Sequence, residues 1–150
     1  MQNLKSSSMI FVLVLLIFSS CNFNSTYLNR EEDKNEAKKT ADKYYDFIKA
    51  KNYEATYKLF DEEFWKVTPK EKLKEIFTAT QSKLGDLDTV TLDHWETKVV
   101  KGTDPSSEYV LYYLNKYQKY TAKETLRLIK NENDKIQIVA FNINSEGFIK

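Results

Sequence analysis

The chain contains a single histidine, His94, on a stretch rich in β-branched residues, with Asp93 before it and Glu96 two residues on. An imidazole beside a carboxylate is the pairing from which general-base chemistry is built. Adjacent strand residues point to opposite faces, so Asp93 cannot orient His94, and a partner would have to come from a helix, as Asp61 or Glu63. A lone strand histidine is more often structural or solvent-exposed. His94 therefore stands as a catalytic candidate without a second group fixed by the sequence. One histidine and one cysteine are too few for a zinc site. Asp61-Glu62-Glu63 lacks the number and spacing of oxygen ligands that calcium requires and reads as a solvated helix end.

A second candidate is aromatic. Tyr109, Tyr112, Tyr113, Tyr117 and Tyr120 fall in one segment with Lys116 and Lys119 between them. Such a surface can stack on sugars or nucleobases, but tyrosine also suits a half-buried strand and fills space against helices. Tyr109, Tyr113, Tyr117 and Trp65 are taken as lining a ligand pocket. Phe64-Trp65 reads equally as a closure of the core between two helices. The formal charge is +1 with the signs interleaved, so no concentrated positive face exists for a nucleic acid. No cofactor motif is present.

The elements that must position these residues begin after a distinctive leader. Lys5 precedes an uninterrupted apolar run from Met9 to Phe18, then Ser19-Ser20-Cys21. The run is far shorter than the roughly 20 residues of a transmembrane helix. It resembles the lipobox of bacterial lipoproteins, with Phe18 where that motif usually has a smaller residue. The resemblance implies cleavage before Cys21 and attachment of diacylglycerol to its sulfur, usually with a further acyl chain. An ordinary signal peptide would leave Cys21 as a solitary secreted thiol, and lipidation disposes of it. Two or three acyl chains give lasting membrane attachment. Asn22 is not the aspartate that retains enteric lipoproteins at the inner membrane, and no acidic run follows Cys21. The resemblance thus implies an outer-membrane anchor facing the periplasm.

Three regions are expected: residues 1–20 as signal peptide, 21–36 as lipidated cysteine and flexible tether, and 37–150 as the domain. Ala37, Ala41, Tyr44, Tyr45 and Ile48 recur at helical spacing. Asn52 is placed to cap a second helix carrying Tyr53, Thr56, Tyr57 and Phe60. Thr68-Pro69-Lys70-Glu71 predicts a capping box with proline at the first helical position, opening a helix through Leu73, Ile76, Phe77, Thr80 and Leu84 to Gly85. Four strands are expected after it: 89–100, 108–120, 122–131 and 135–144. The second is apolar on both parities and is predicted central and covered on both faces. Short connections make the last three antiparallel neighbours.

The expected class is therefore α+β, with N-terminal helices packed on a four-stranded, mostly antiparallel curved sheet. That order resembles the cone-shaped nuclear transport factor 2-like (cystatin-like) fold, and more closely small secreted bacterial proteins of unknown function on it. The residues that carry the likeness are Asn52-Tyr53-Glu54-Ala55, Gly85, Tyr109, Glu124-Thr125-Leu126-Arg127-Leu128 and Asp134-Lys135-Ile136-Gln137-Ile138. Ile136 and Ser107 stand where the family usually has tryptophan and glycine. The resemblance implies a fold, not an activity, although the fold often dimerises through its sheet face. Two functions are carried forward: a non-enzymatic module binding a small ligand or an envelope protein, and a small isomerase-, dehydratase- or hydrolase-like enzyme using His94 or a carboxylate inside the cone.

Overall fold

A computed structural model describes residues 24–149. The leader and Cys21 lie outside the described residues. Within them, helices cover one face of an antiparallel sheet, giving the α+β class read from the sequence. The elements are β1 (Ser25–Leu28), α1 (Glu31–Lys49), α2 (Tyr53–Thr56) with a 3-10 turn (Tyr57–Leu59), α3 (Glu62–Val67) and α4 (Lys70–Leu84). They are followed by β2 (Leu87–Thr89), β3 (Leu92–Lys101), β4 (Ser106–Tyr117), β5 (Thr121–Lys130), β6 (Ile136–Asn144) and a 3-10 turn (Glu146–Phe148). The sheet has six strands rather than four, ordered β1-β3-β4-β5-β6, with β2 pairing β4 beyond the end of β3.

Two of the extra elements carry no side-chain periodicity, which is why sequence reading passes over them. β1 forms within the segment expected to be tether. It pairs with β3 from Ser25↔Lys101 to Leu28↔Lys98, and edge pairing of this kind uses backbone groups alone. Asn24 Oδ1 accepts from Thr103 N at 2.9 Å, and Asn29 exchanges two 2.9 Å bonds with the Thr97 backbone. α1 then starts at Glu31, fixed by a two-pronged bond from Arg30 to buried Asp33 at 2.7 and 2.8 Å. Residues 25–36 are therefore part of the domain. β2 is separated from β3 by Val90-Thr91, so the expected strand 89–100 is broken near its start into the end of β2 and the longer β3, both paired along β4.

Helix starts also differ in detail. Asn52 does cap its helix, its Oδ1 accepting from Ala55 N at 3.3 Å. Thr68 makes no cap bond to α4; Pro69 itself is the capping residue, with extended backbone, and Lys70 is the first helical position. The stop at Gly85 holds: its φ is +84°, and a Cβ there would lie 2.8 Å from Gln118 Cβ.

β4 is central, but it is covered on one face only. Tyr109, Leu111, Tyr113, Asn115 and Tyr117 are buried beneath the helices, while Leu114 on the other parity is 46% exposed. On β5 the buried parity is Ala122, Glu124, Leu126 and Leu128. The register of β6 shifts between the Arg127 and Leu128 partners, inserting Val139 as an extra residue. That bulge rotates the strand by one parity step, so Ile136, Ile138, Phe141 and Ile143 all face the helices although their spacing assigns them to opposite sides. The free side of β6 is partly closed by the preceding segment: Asp61 N donates to Ile138 O at 3.0 Å and Gln137 Nε2 to Phe60 O at 3.0 Å.

The parity of β5 generates a direct test. Leu128 is 1% exposed between sheet and helices, so Leu128→Ala is expected to cost about 2–5 kcal/mol in denaturant unfolding. Arg127 lies on the exposed face, and Arg127→Ala should cost under about 0.5 kcal/mol. Equal losses would place the strand one residue out of register.

Candidate functional site

A narrow cleft opens between α1, α4 and the inner face of the sheet, near the turn joining β4 to β5. Its free interior is small, about 30 Å³, and it widens to solvent at the mouth. Each wall has a sequence cause. Tyr44 and Ile48 come from the apolar stripe of α1, Phe77 and Thr80 from that of α4, and Phe141 and Ile143 from the strand that the bulge turns inward. Tyr117 and Glu124 come from β4 and β5 across their hairpin.

Glu124 is the unusual residue of this site. Its side chain sits in the core, 4% exposed, on the same parity as Ala122, Leu126 and Leu128. Tyr117 Oη donates to Glu124 Oε1 at 2.7 Å. The Asn115 amide and the Tyr45 hydroxyl stand close enough to favour the carboxylate, yet Asn115 Nδ2 and Tyr45 Oη complete no hydrogen bond of normal geometry. Burial pushes the Glu124 carboxyl above the ordinary glutamate range, and the Tyr117, Asn115 and Tyr45 donors pull it partly back. The same carboxyl holds the Tyr117 phenol far above its usual value, after burial as the larger cause. Tyr44 and Tyr45 are raised in the same way by burial and then by Glu124.

The mouth is a hydrogen-bonded rim. Tyr53 Oη donates to Gln81 Oε1 at 2.9 Å, Gln81 Nε2 donates to Asp86 Oδ1 at 3.0 Å, and Lys51 Nζ meets Asp86 at 2.8 Å. These bonds, Lys51 first and Gln81 second, hold the Asp86 carboxyl below its usual range. Gln118 N donates to Asp86 O at 3.0 Å and Lys119 N to Leu84 O at 2.9 Å, pinning the β4–β5 turn to the end of α4.

The structure distributes the residues singled out from the sequence. Tyr117 lies in the cleft. Tyr113 is buried a turn of strand away, its ring 4.8 Å from that of Tyr45, and Tyr109 is buried at the far end of β4, near Ser107. Trp65 packs on α3 against Tyr57, Phe60 and Phe64, outside the cleft. His94 is on the opposite, exposed face of the sheet, its side chain 64% accessible, stacked on Tyr112 with ring centroids 5.5 Å apart. Its nearest carboxylate is Glu96, at 3.8 Å, and neither Asp61 nor Glu63 approaches it. Among the described residues no group of three potential metal ligands comes together. Sequence reading passed over Glu124 as a site residue, although a signal existed: it is the acidic member of an otherwise apolar inward parity on β5.

The raised carboxyl sets a pH test. A group whose folded pKa exceeds its unfolded value contributes stability at acid pH that is lost as pH rises through the folded value. Glu124→Gln removes that titration. The stability gap between the variant and the wild type should therefore move in the variant's favour as pH climbs above the ordinary glutamate range, and level off once the buried carboxyl is ionised. Thermal unfolding of both proteins between acid and neutral pH measures it, and a flat gap would mean that the carboxyl titrates alike in both states. Compared with known proteins, the chain matches no family model, no curated protein and no solved structure, so the functional reading rests on this geometry.

Proposed function

We propose that the chain is a membrane-anchored bacterial lipoprotein whose domain binds a small ligand in the cleft above Glu124 without transforming it. The observation that carries the binding reading is the cleft itself: apolar walls converge on one buried carboxyl and one phenol, the pattern of a site that grips an apolar body and orients it by a polar group. A non-enzymatic role is favoured because the other titratable groups of the cleft are already engaged, Tyr117 with Glu124 and Asp86 with Lys51 at the rim, and His94 is on the other side of the sheet. Helices over one face of a bulged antiparallel sheet, with a cleft between the layers, support the nuclear transport factor 2-like cone. The outer face, where Tyr112 and Leu114 reach solvent, is the surface through which a homodimer would form.

The anchor is proposed from the leader and Cys21, with the domain facing the periplasm from the outer membrane. No helix among the described residues is long and apolar enough to cross a membrane. Three residue steps from Cys21 to Asn24 span at most roughly 11 Å. Lipidation at Cys21 would hold the β1–β3 edge close to the headgroups, since the chain is already hydrogen-bonded into the domain at Asn24. The alternative, an isomerase-, dehydratase- or hydrolase-like enzyme, is favoured by one feature: a buried carboxyl with a raised pKa is suited to moving a proton.

Cys21→Ser should leave a folded domain that moves from the membrane to the soluble fraction, and unchanged fractionation would remove the anchor from the proposal. For the cleft, a fragment screen read by NMR should shift resonances of Tyr117, Phe77 and Phe141. Ile143→Trp, filling the space, should abolish those shifts in a protein still folded by circular dichroism, whereas His94→Ala should bind as the wild type does. Loss of binding in a folded His94→Ala protein, or recovery of a chemically altered ligand, would favour the enzyme.

A further inference from the structure

We infer that the cleft selects a cation: the ammonium group of a small primary amine, seated on Glu124 with its short apolar part against Phe77, Phe141 and Ile143. This rests on the cleft being a ligand site and adds the chemistry of what enters it. The argument starts from the groups that face Glu124. From α1 comes the Tyr45 hydroxyl, and from β4 come the Tyr117 hydroxyl and the Asn115 amide. These are groups able to donate, and Tyr45 Oη and Asn115 Nδ2 complete no hydrogen bond of normal geometry. Buried donors without acceptors are costly, so an arrangement that aims three at one carboxyl is suited to its ionised, acceptor-only form.

Yet no basic side chain among the described residues reaches the carboxyl. The cationic groups that line the cleft, Lys49 and Lys51, stand at its solvent-exposed mouth, and Lys51 is neutralised by Asp86 at 2.8 Å. A buried carboxylate with no countercharge is strongly disfavoured, and a cation brought in by a ligand relieves that cost. The aromatic walls add to the preference, because ring faces attract ammonium groups. A neutral alcohol would satisfy one hydrogen bond without supplying charge, and a carboxylate ligand would meet like charge. Lys49 sits where water screens it and does not oppose a cation held deep in the cleft.

The test uses the detergent-solubilised full-length protein and a size-matched panel: methylamine with its ethyl and propyl neighbours, the corresponding alcohols, and the corresponding carboxylates. Calorimetry at neutral pH should show the amines binding at least about ten-fold more tightly than either neutral or anionic members. Their affinity should fall as pH drops through the Glu124 titration, with a proton released on binding wherever the free carboxyl is protonated. Glu124→Gln should bring amine and alcohol to similar affinity. Tyr117→Phe, which removes a donor from the carboxylate, should weaken amine binding at neutral pH and recover part of it at higher pH. Alcohols or carboxylates binding as well as amines, or an amine preference that survives in folded Glu124→Gln, overturns the inference while leaving the cleft a ligand site. Failure of every member of the panel to bind overturns both.

Discussion

The domain depends on tyrosine rings filling the space between α1 and the inner face of β4. Tyr44 and Tyr45 meet edge to face with centroids 5.0 Å apart, Tyr45 meets Tyr113 at 4.8 Å, and Tyr44 reaches Phe60 and Phe77 at 6.1 Å. Aromatic side chains bury more area than aliphatic ones and hold defined edge-to-face geometries, so a short helix stripe is enough to cover a long strand. Tyrosine brings a hydroxyl with each ring, however, and a buried hydroxyl needs a partner. That constraint reaches from packing into chemistry. Glu124 is the acceptor around which two of these hydroxyls, those of Tyr45 and Tyr117, gather with the Asn115 amide, and its carboxyl is buried with the rings around it.

From the same constraint the cleft acquires its character. Aliphatic residues at the β4 and β5 positions would close the layers completely. A carboxyl and phenols pack less efficiently, and the space that remains is lined by Phe77, Phe141 and Ile143 on one side and by Glu124 on the other. The rim is then made rigid by backbone and side-chain bonds from the β4–β5 turn to the end of α4. Gly85 is indispensable to it, since its left-handed backbone lets Gln118 approach. The position of the cleft thus follows from the tightest turn in the helical layer.

Much of this architecture was legible from residue spacing. The stripes of α1 and α4, the stop at Gly85 and the antiparallel order of the last three strands all follow from periodicity and turn chemistry. What was not legible depends on backbone pairing or on a single inserted residue. β1 is held by the open edge of β3, α1 starts at an Arg30–Asp33 pair rather than at an apolar stripe, and the bulge at Val139 inverts a parity count that is otherwise reliable. The apolar second parity of β4 predicted a covered face that the structure leaves open, because the helices all pack on the other face of the sheet. His94 and the tyrosines are chemistry-bearing types at sight, whereas Glu124 shows itself only as the one acidic residue on the parity of Ala122, Leu126 and Leu128.

The unpaired groups bear on why the site persists. Leaving a buried donor unsatisfied costs about 1–3 kcal/mol, and replacing Glu124 with leucine and both Tyr45 and Tyr117 with phenylalanine would remove most of the burden with little change to the outline of the core. Against a total stability of about 5–15 kcal/mol for a small domain, that saving is large. Packing alone therefore gives no reason to keep a carboxyl, an amide and hydroxyls at this one end of the sheet, where the helices also part to admit solvent. Tyr113 and Thr97 carry unpaired hydroxyls too, but they lie elsewhere on the inner face and do not converge on a common acceptor. Convergence separates the two cases: isolated unpaired hydroxyls are tolerated side effects of a tyrosine-rich core, whereas polar groups gathered on one carboxyl beneath an opening are what a bound molecule would stabilise.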